Sequence, residues 1–397
     1  MEIAFQDWLD LLLRWLHVIT AIAWIGSSFY FIWLDLSLKK TKDEEFGVFG
    51  ENWSVHGGGF YHSKKYTIAP EKMPQDLKWF KYEAYSTWLS GFLLMAIIYY
   101  WSAETFLIDD RKIALQHWQA ILISIGFLAL GWVLYDLLCK YLIGKKKDIV
   151  LSLAVFLLIV GGAILLEQVF SDRAALIHVG AIIGSMMVGN VFFIIIPNQK
   201  KVVAALIKGE APDPQLGREA KTRSTHNNYL TLPALFMMIS IHYPILALPN
   251  RIWLVVAFVL LIGGILRHFF NTYHGPSKWR DLVWQFPVAG ALTIILVLIT
   301  SYSPQIVSSK KLVLNSVSAM EIVNKRCVSC HSQIPMDDNF DRPPGGIILE
   351  KLADVIKWRK LILSQAIHSQ AMPPANKTNM TIQERVALGV WLKRTDN

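Results

Sequence analysis

Long apolar runs separated by short polar stretches dominate residues 1–303 of the chain. A helix needs ~20 consecutive apolar residues to cross a hydrocarbon core of ~30 Å, and eight segments reach about this length. They lie at residues 11–36, 84–103, 118–139, 149–169, 174–197, 228–248, 252–271 and 282–303. The pattern therefore predicts an all-α fold in which residues 1–303 form a polytopic membrane bundle of eight spans.

Beyond residue 303 the long apolar runs stop. Residues 304–315 are rich in serine and lysine, which is typical of a short linker. Within residues 316–397, apolar positions at helical spacing predict a helix over 317–325 and another over 381–393. We therefore expect a small second domain at 316–397.

The two halves of the apolar region share weak similarity. Tyr85-Ser86-Thr87-Trp88-Leu89 in the second span is similar to Tyr229-Leu230-Thr231-Leu232-Pro233 in the sixth. The first and fifth spans each begin with His-Val, at His17 and His178. This predicts a 4+4 parallel repeat, whose halves are related by an axis along the membrane normal.

Composition supports a membrane protein. Of 397 residues, 53% are hydrophobic and 17% charged, which is too apolar for a soluble enzyme. The net charge of +9 comes from basic residues beside the apolar spans. Such residues fix topology in a lipid bilayer, so the charge does not call for a nucleic-acid partner.

The segment Cys327-Val328-Ser329-Cys330-His331 carries the most specific chemistry in the chain. Two cysteines three apart, followed at once by histidine, form the attachment signature of a c-type haem, in which both thiols bind the porphyrin and the histidine ligates iron. A zinc site is the alternative, but zinc needs further ligands and the remaining cysteine, Cys139, is remote in sequence.

A methionine usually provides the sixth iron ligand in a single-haem cytochrome. Met372 fits best because Pro373 and Pro374 stiffen its loop, whereas Met336 is too close to His331 to reach the opposite face of the iron. Met380 and His368 remain alternatives. With these ligands, residues 316–397 resemble a small class I cytochrome c domain.

Haem chemistry also predicts topology. Because c-type haem is attached outside the cytoplasmic membrane, the C-terminal domain should be periplasmic, and an even number of spans puts the N-terminus there as well. The loops 37–83, 140–148, 198–227 and 272–281 then face the cytoplasm and hold eight, four, six and two Lys or Arg, against four in the loops 104–117, 170–173 and 249–251. This bias agrees with the positive-inside rule and predicts a bacterial inner membrane protein.

His17 and His178 stand within apolar spans, where a histidine is costly unless it is paired or ligates a metal. Packing through a backbone carbonyl is one interpretation. Ligation of a second, non-covalent haem b by both residues is the other. The stretch from Leu16 to Tyr30 is similar to the first helix of haem-binding four-helix membrane oxidases related to protoporphyrinogen oxidation, which favours the second.

Polar and aromatic residues cluster on the predicted cytoplasmic side. The segment His56-Gly57-Gly58-Gly59-Phe60-Tyr61-His62 is too glycine-rich for a helix. It is predicted to be a loop that contacts a planar heterocycle, and an ordinary flexible turn is the alternative. Arg267 is interpreted as an end charge, a partner of Asp136 or an anion-binding group. The candidate site residues on this side are His56, His62, Tyr82, His226, Asn227, Asn228 and Arg267.

The chain resembles bacterial membrane-bound urate hydroxylases with a C-terminal cytochrome c domain. The resemblance rests on the His56–His62 segment, Lys81-Tyr82-Glu83-Ala84-Tyr85, His226-Asn227-Asn228-Tyr229, Arg267-His268-Phe269-Phe270-Asn271 and the Cys-x-x-Cys-His tail. It implies oxidation of urate to 5-hydroxyisourate, with electrons leaving through haem c to a periplasmic soluble cytochrome c or a terminal oxidase.

Under this hypothesis Arg267 anchors the urate anion and Asn227, Asn228 and Tyr82 contact the purine edge. The base for the attacking water is His56, His62 or His226, and the sequence leaves the choice open. Two other functions are alternatives. One is electron transfer from a quinol to a cytochrome without urate chemistry, and the other is a purine transporter with a haem sensor domain.

Overall fold

The computed structural model describes residues 2–40, 46–70, 72–74, 76–143, 148–273, 281, 283–301 and 314–394, and most of them are helical. The helices are α1 (Glu2–Ser37), α2 (Tyr82–Met95), α3 (Ala103–Phe106), α4 (His117–Leu142), α5 (Asp148–Val169), α6 (Asp172–Gly189), α7 (Ile196–Ile207), α8 (Pro214–Ser240), α9 (Ile252–Thr272), α10 (Gln285–Ser301), α11 (Ser316–Arg326), α12 (Leu352–Lys357), α13 (Arg359–Ile362) and α14 (Ile382–Arg394). We call residues 2–301 the helical body and residues 314–394 the tail. The predicted linker, 304–315, lies almost entirely outside the described residues.

Five helical stretches of the described body are long and apolar enough to cross a membrane. They are Asp7–Ser37, His117–Leu142, Asp148–Val169, Asp172–Ile207 and Ile252–Thr272. The apolar helix Gln285–Ser301 is shorter. A helix also stands at each of the other predicted spans, α2 and α8, but α2 is short and the first half of α8 is polar. The eight-span arrangement therefore stays a prediction.

Small residues allow close packing of the body helices. A Cβ at Gly180 would press on Met237, which brings α6 against α8, and a Cβ at Gly263 would press on Pro233, which brings α9 against α8. Such contacts are typical of helices packed within a membrane. The pairs α1/α2 and α6/α8, and likewise α4/α5 and α9/α10, are in contact, which is compatible with the predicted repeat.

Wider, π-helical turns interrupt three helices. Ala96–Tyr100 extends α2, Asn190–Ile195 joins α6 to α7, and Leu363–His368 follows α13. Gly189 precedes the second of these turns, where a Cβ would overlap the indole of Trp132. Turns of this kind occur frequently at functional sites, and each one here borders a group of residues considered below.

The predicted loop at His56–His62 is instead part of a β-hairpin, the one sheet in the described residues. Strand β1 (Val48–His56) pairs antiparallel with β2 (Gly59–Tyr66). Gly57 and Gly58 both have positive φ, +58° and +77°, as a two-residue hairpin turn requires. The fold is therefore mostly rather than entirely helical.

The tail has its own hydrophobic cluster, in which α11 and α14 contribute Ala319, Val323, Leu388 and Trp391. Its turn Pro374–Asn376 packs against α3, and Leu363–His368 packs against the turn Pro244–Leu246 of the body. A cavity of about 260 Å³ lies between the two parts. The tail thus rests on the end of the body where α4 and α9 begin.

Candidate functional site

A connected group of buried polar side chains joins α4, α8 and the π-helical turn after α6. Arg223 is fully buried; its Nη2 donates to the carboxylate of Asp136 at 2.6 Å and its Nη1 donates to Oδ1 of Asn190 at 3.0 Å. Asp136 also pairs with Lys140 at 2.7 Å. Removing one partner of a buried ion pair is strongly destabilising, so these contacts hold three helical segments around one point.

The same group includes two of the predicted site residues. Asn190 Nδ2 donates to the hydroxyl of Tyr135 at 2.9 Å and to Oδ1 of Asn227 at 2.8 Å. Asn227 Nδ2 in turn donates to the carbonyl of Met187 at 2.9 Å. The Tyr135 hydroxyl lies 2.9 Å from Nδ1 of His226. We call Asp136, Arg223, Asn190, Tyr135, His226 and Asn227 the polar network.

Arg267 lies on α9 and contacts Asn228, the residue after Asn227 on α8. Its Nε donates to Oδ1 of Asn228 at 2.6 Å, and its guanidinium stands 3.6 Å from the ring centre of Phe29. The partner of Asp136 is Arg223, so the interpretation that pairs Arg267 with Asp136 is wrong. The bond to Asn228 uses Nε, and no hydrogen bond joins the two terminal amino groups of Arg267 to another described residue.

Two donors in this region lack a hydrogen-bond partner among the described residues. They are Nδ2 of Asn228 and Nε of Arg223, and both atoms are buried. A buried donor without a partner costs about 1–3 kcal/mol, which an anion with several acceptor atoms would recover. These donor groups therefore suit an acceptor-rich anion beside Arg267 and Asn228.

Three other predicted site residues do not belong to the polar network in the described part of the chain. His56 is exposed beside the hairpin turn. Nε2 of His62 lies 2.5 Å from the carboxylate of Glu51, and its ring stacks on Trp53 at 4.0 Å within the hairpin. Tyr82 is 67% exposed at the start of α2.

His178 is fully buried with a protein partner on each ring nitrogen. Its Nδ1 donates to the carbonyl of Ala174 at 2.7 Å, so Nε2 accepts from the hydroxyl of Ser124 at 2.6 Å. The Tyr100 hydroxyl lies 2.7 Å from Ser124. This arrangement accounts for His178 by packing, because the nitrogen lone pair that iron would need is already used.

His17 differs from His178. Its Nδ1 donates to the carbonyl of Thr87 at 3.0 Å, which leaves Nε2 unprotonated, and the ring fills the space beside Gly91. His178 instead contacts Tyr99, eight residues after Gly91 and about 12 Å further along the helix axis. The two rings therefore stand at different depths, and this arrangement does not place them on opposite faces of one iron.

The tail presents the residues that a covalent haem needs. Cys327 ends α11, and Cys330 and His331 follow in the next turn. Nδ1 of His331 donates to the carbonyl of Ile347 at 2.9 Å, so its Nε2 is free to ligate iron. No three His, Cys, Asp or Glu side chains of the described residues are grouped as a metal-ion site. Burial raises the pKa of the Cys327 thiol to about 12.

Met372 packs on the same hydrophobic cluster as Cys327. Its backbone N–H donates to the carbonyl of Gln365 at 2.9 Å, and its own carbonyl accepts from Nη1 of Arg385 at 2.7 Å. Among the alternative ligands, Met380 is buried in the cluster whereas His368 is exposed. Met372 is thus held by backbone hydrogen bonds on a loop that packs on the same cluster as the segment from Cys327 to His331.

A buried guanidinium group in the tail also suits a bound porphyrin. Nε of Arg385 has no hydrogen-bond partner in the described residues. Burial lowers the pKa of Arg385 to about 10. An anionic group such as a haem propionate would satisfy this donor, and the residues present therefore fit a c-type haem.

Sequence reasoning gave no catalytic role to four members of this region. Asn190, Tyr135, Asp136 and Arg223 were not among the predicted site residues, although all are buried. The available signal was a polar residue inside an apolar span, which is costly and usually functional. Asn190, within Val188-Gly189-Asn190-Val191-Phe192, shows that signal clearly.

Comparison with known proteins identifies the helical body. The model of the urate oxidase N-terminal family matches residues 3–301, which include the polar network, Arg267 and Asn228. No curated protein and no solved structure matches the chain. The family match ends before the tail, so it bears on the body alone. Since it covers most of the sequence, the chain belongs to the urate oxidase N-terminal family.

Proposed function

We propose that the protein is a membrane-bound urate hydroxylase that passes the electrons from urate to a c-type haem on its own tail. Family membership supports an enzyme of urate metabolism. The observation that carries the finer proposal is the unpartnered donor of Asn228, which lies beside the guanidinium of Arg267 in the matched body.

The ligand that these groups favour has the chemistry of urate. Urate is a planar monoanion at neutral pH, with carbonyl oxygens that accept hydrogen bonds around its edge. Arg267 would hold the anion through its planar fork of donors, and Asn228 would donate to a carbonyl oxygen. Addition of water to urate gives 5-hydroxyisourate with loss of two electrons and two protons, so a proton acceptor must stand near the attacking water.

The distance from the polar network to the tail is long for electron transfer. Tyr135 lies eighteen residues after His117 on α4, which is about 27 Å along the helix, and the tail packs near the beginning of that helix. A c-type haem would supply a one-electron carrier at the tail. His17, with its free Nε2, is the residue of the body best placed to hold a second haem between the two ends.

We also propose the orientation of the protein. The body lies in a bacterial inner membrane, the tail and N-terminus are periplasmic, and the polar network is near the cytoplasmic face. A soluble cytochrome c or a terminal oxidase then accepts the electrons. A cleavable tag on the C-terminus, probed with protease in intact spheroplasts, tests this orientation. Protection of the tag in intact spheroplasts would overturn it.

The decisive experiment is anaerobic reduction of the purified protein by urate, followed at the absorption bands of haem c. Each urate should reduce up to two haem equivalents, and Arg267→Ala should abolish the reduction while dithionite still reduces the haem. Reduction by a quinol but not by urate would favour the electron-transfer alternative. Urate uptake into vesicles without haem reduction would favour a transporter.

A further inference from the structure

In the polar network, each group's role as hydrogen-bond donor or acceptor is fixed by the group before it, from Arg223 through Asn190 and Tyr135 to His226. This order of donors and acceptors assigns a role to His226. We infer that His226 presents an N–H donor at Nε2 to the ligand and is not the base, and that Arg223 and Asn190 are the positioning residues that impose this state. The inference rests on the proposed function, since it concerns how the same site binds urate.

The order begins at Arg223. A guanidinium has only donors, so the side-chain oxygen of Asn190, 3.0 Å from Nη1 of Arg223, must be the acceptor. The orientation of the Asn190 amide is thereby fixed by chemistry. Its nitrogen then faces Tyr135 at 2.9 Å and the side-chain oxygen of Asn227 at 2.8 Å, and it donates to both.

The order continues through Tyr135. The phenol oxygen accepts from Asn190 and keeps one hydrogen to donate. The nearest nitrogen is Nδ1 of His226, at 2.9 Å. Cys139 lies beside the same hydroxyl, but a thiol sulfur is a weak acceptor. Tyr135 therefore donates to His226, and Nδ1 of His226 carries no proton.

A neutral imidazole with an unprotonated Nδ1 carries its proton on Nε2. His226 is the one member of the polar network that is half-buried rather than buried, so a ligand that reaches the network meets this residue. Its N–H can then act as a donor to an anion. A base would need the opposite tautomer, which the fixed amide of Asn190 disfavours. The proton acceptor must therefore be a different group.

The tautomer can be measured without urate. In protein labelled with ¹⁵N-histidine, the His226 signals are assigned by their loss in His226→Gln. We expect Nδ1 at the shift of an unprotonated nitrogen and Nε2 at that of an N–H. Tyr135→Phe should move the Nδ1 signal, whereas Tyr100→Phe, which removes a buried hydroxyl from the Ser124 contact, should not. A protonated Nδ1 in the wild type would overturn the inference.

Urate binding provides the second test. The amide nitrogen of a glutamine stands near the position of Nε2, and that of an asparagine near the position of Nδ1. We expect His226→Gln to bind urate within about threefold of the wild type and His226→Asn to bind at least about tenfold more weakly, as loss of a hydrogen bond to a charged ligand predicts. Equal or tighter binding by the asparagine variant would refute the donor role. Absence of urate binding in the wild type, with the expected tautomer present, would instead reject the proposed function.

Discussion

Replacement of Arg267 by lysine separates the charge of the candidate site from its geometry. The variant keeps one positive charge, but it loses the bond from Nε to Asn228 at 2.6 Å and the flat contact with Phe29 at 3.6 Å. A hydrogen bond from a charged group contributes about 1.5–3 kcal/mol, and a cation–π contact about 0.5–2 kcal/mol. Arg267 is 6% exposed, so water would compensate for little of this loss.

Part of the interaction energy of Arg267 with Asn228 and Phe29 is lost in both the urate-free and the urate-bound protein, and this part does not affect the binding free energy. We therefore expect urate binding to weaken by about 2 kcal/mol, or roughly thirtyfold, in Arg267→Lys. Isothermal calorimetry or half-saturation of haem reduction would measure it. Arg14→Lys is the matched control, because Arg14 stands in α1 and is ion-paired with Asp10. Wild-type affinity in Arg267→Lys, or an equal loss in Arg14→Lys, would refute the assignment of Arg267 as the anion anchor.

Further predictions concern the tail and the buried histidines. Met372→Ala should lower the reduction potential of haem c and change its absorption spectrum. The control variant Met336→Ala, at an exposed position, should change neither the potential nor the spectrum. Burial acts to raise the pKa of Glu384, but hydrogen bonds from an arginine and a threonine outweigh it and hold that pKa below its usual range. Glu384 therefore stabilises the folded tail at any pH above its ordinary pKa, and this stabilisation is lost as the pH falls through the lower pKa of the folded state. In Glu384→Gln, the stability of the tail, measured by circular dichroism, should depend less on pH in this acidic range. A pyridine haemochrome assay should show loss of any b-type haem in His17→Ala and its retention in His178→Ala; loss in both would mean that the two rings do share one iron.

The helices were accessible from the sequence because a run of about twenty apolar residues is a property of the chain alone. A helix stands at each of the eight predicted positions. The hairpin was not predicted, since three successive glycines suggested a flexible loop. In the structure, Gly57 and Gly58 supply the two positive φ angles of a tight turn. The strands Val48–His56 and Gly59–Tyr66 pair on either side of this turn.

The polar network was harder to predict because its partners come from three helical segments. The sequence left Asp136 as a possible partner of Arg267, but Asp136 pairs with Arg223. Which face of α8 meets α4 depends on close contacts such as that between Gly180 and Met237, and helical periodicity does not specify them. The proposed haem ligands Cys327, Cys330 and His331 lie within five residues of each other, so naming them required no tertiary contact, and haem binding stays a prediction.

The contact between the turn Pro374–Asn376 and α3 bears on kinetics. An electron carrier that is tethered to its donor and already in contact with it has an effective concentration in the millimolar range or above, whereas a freely diffusing carrier has only its concentration in the compartment. Under the proposed function, electron transfer from the body to the tail should then be first order and independent of protein concentration. Only the later transfer to an external acceptor should slow as the concentration of that acceptor falls.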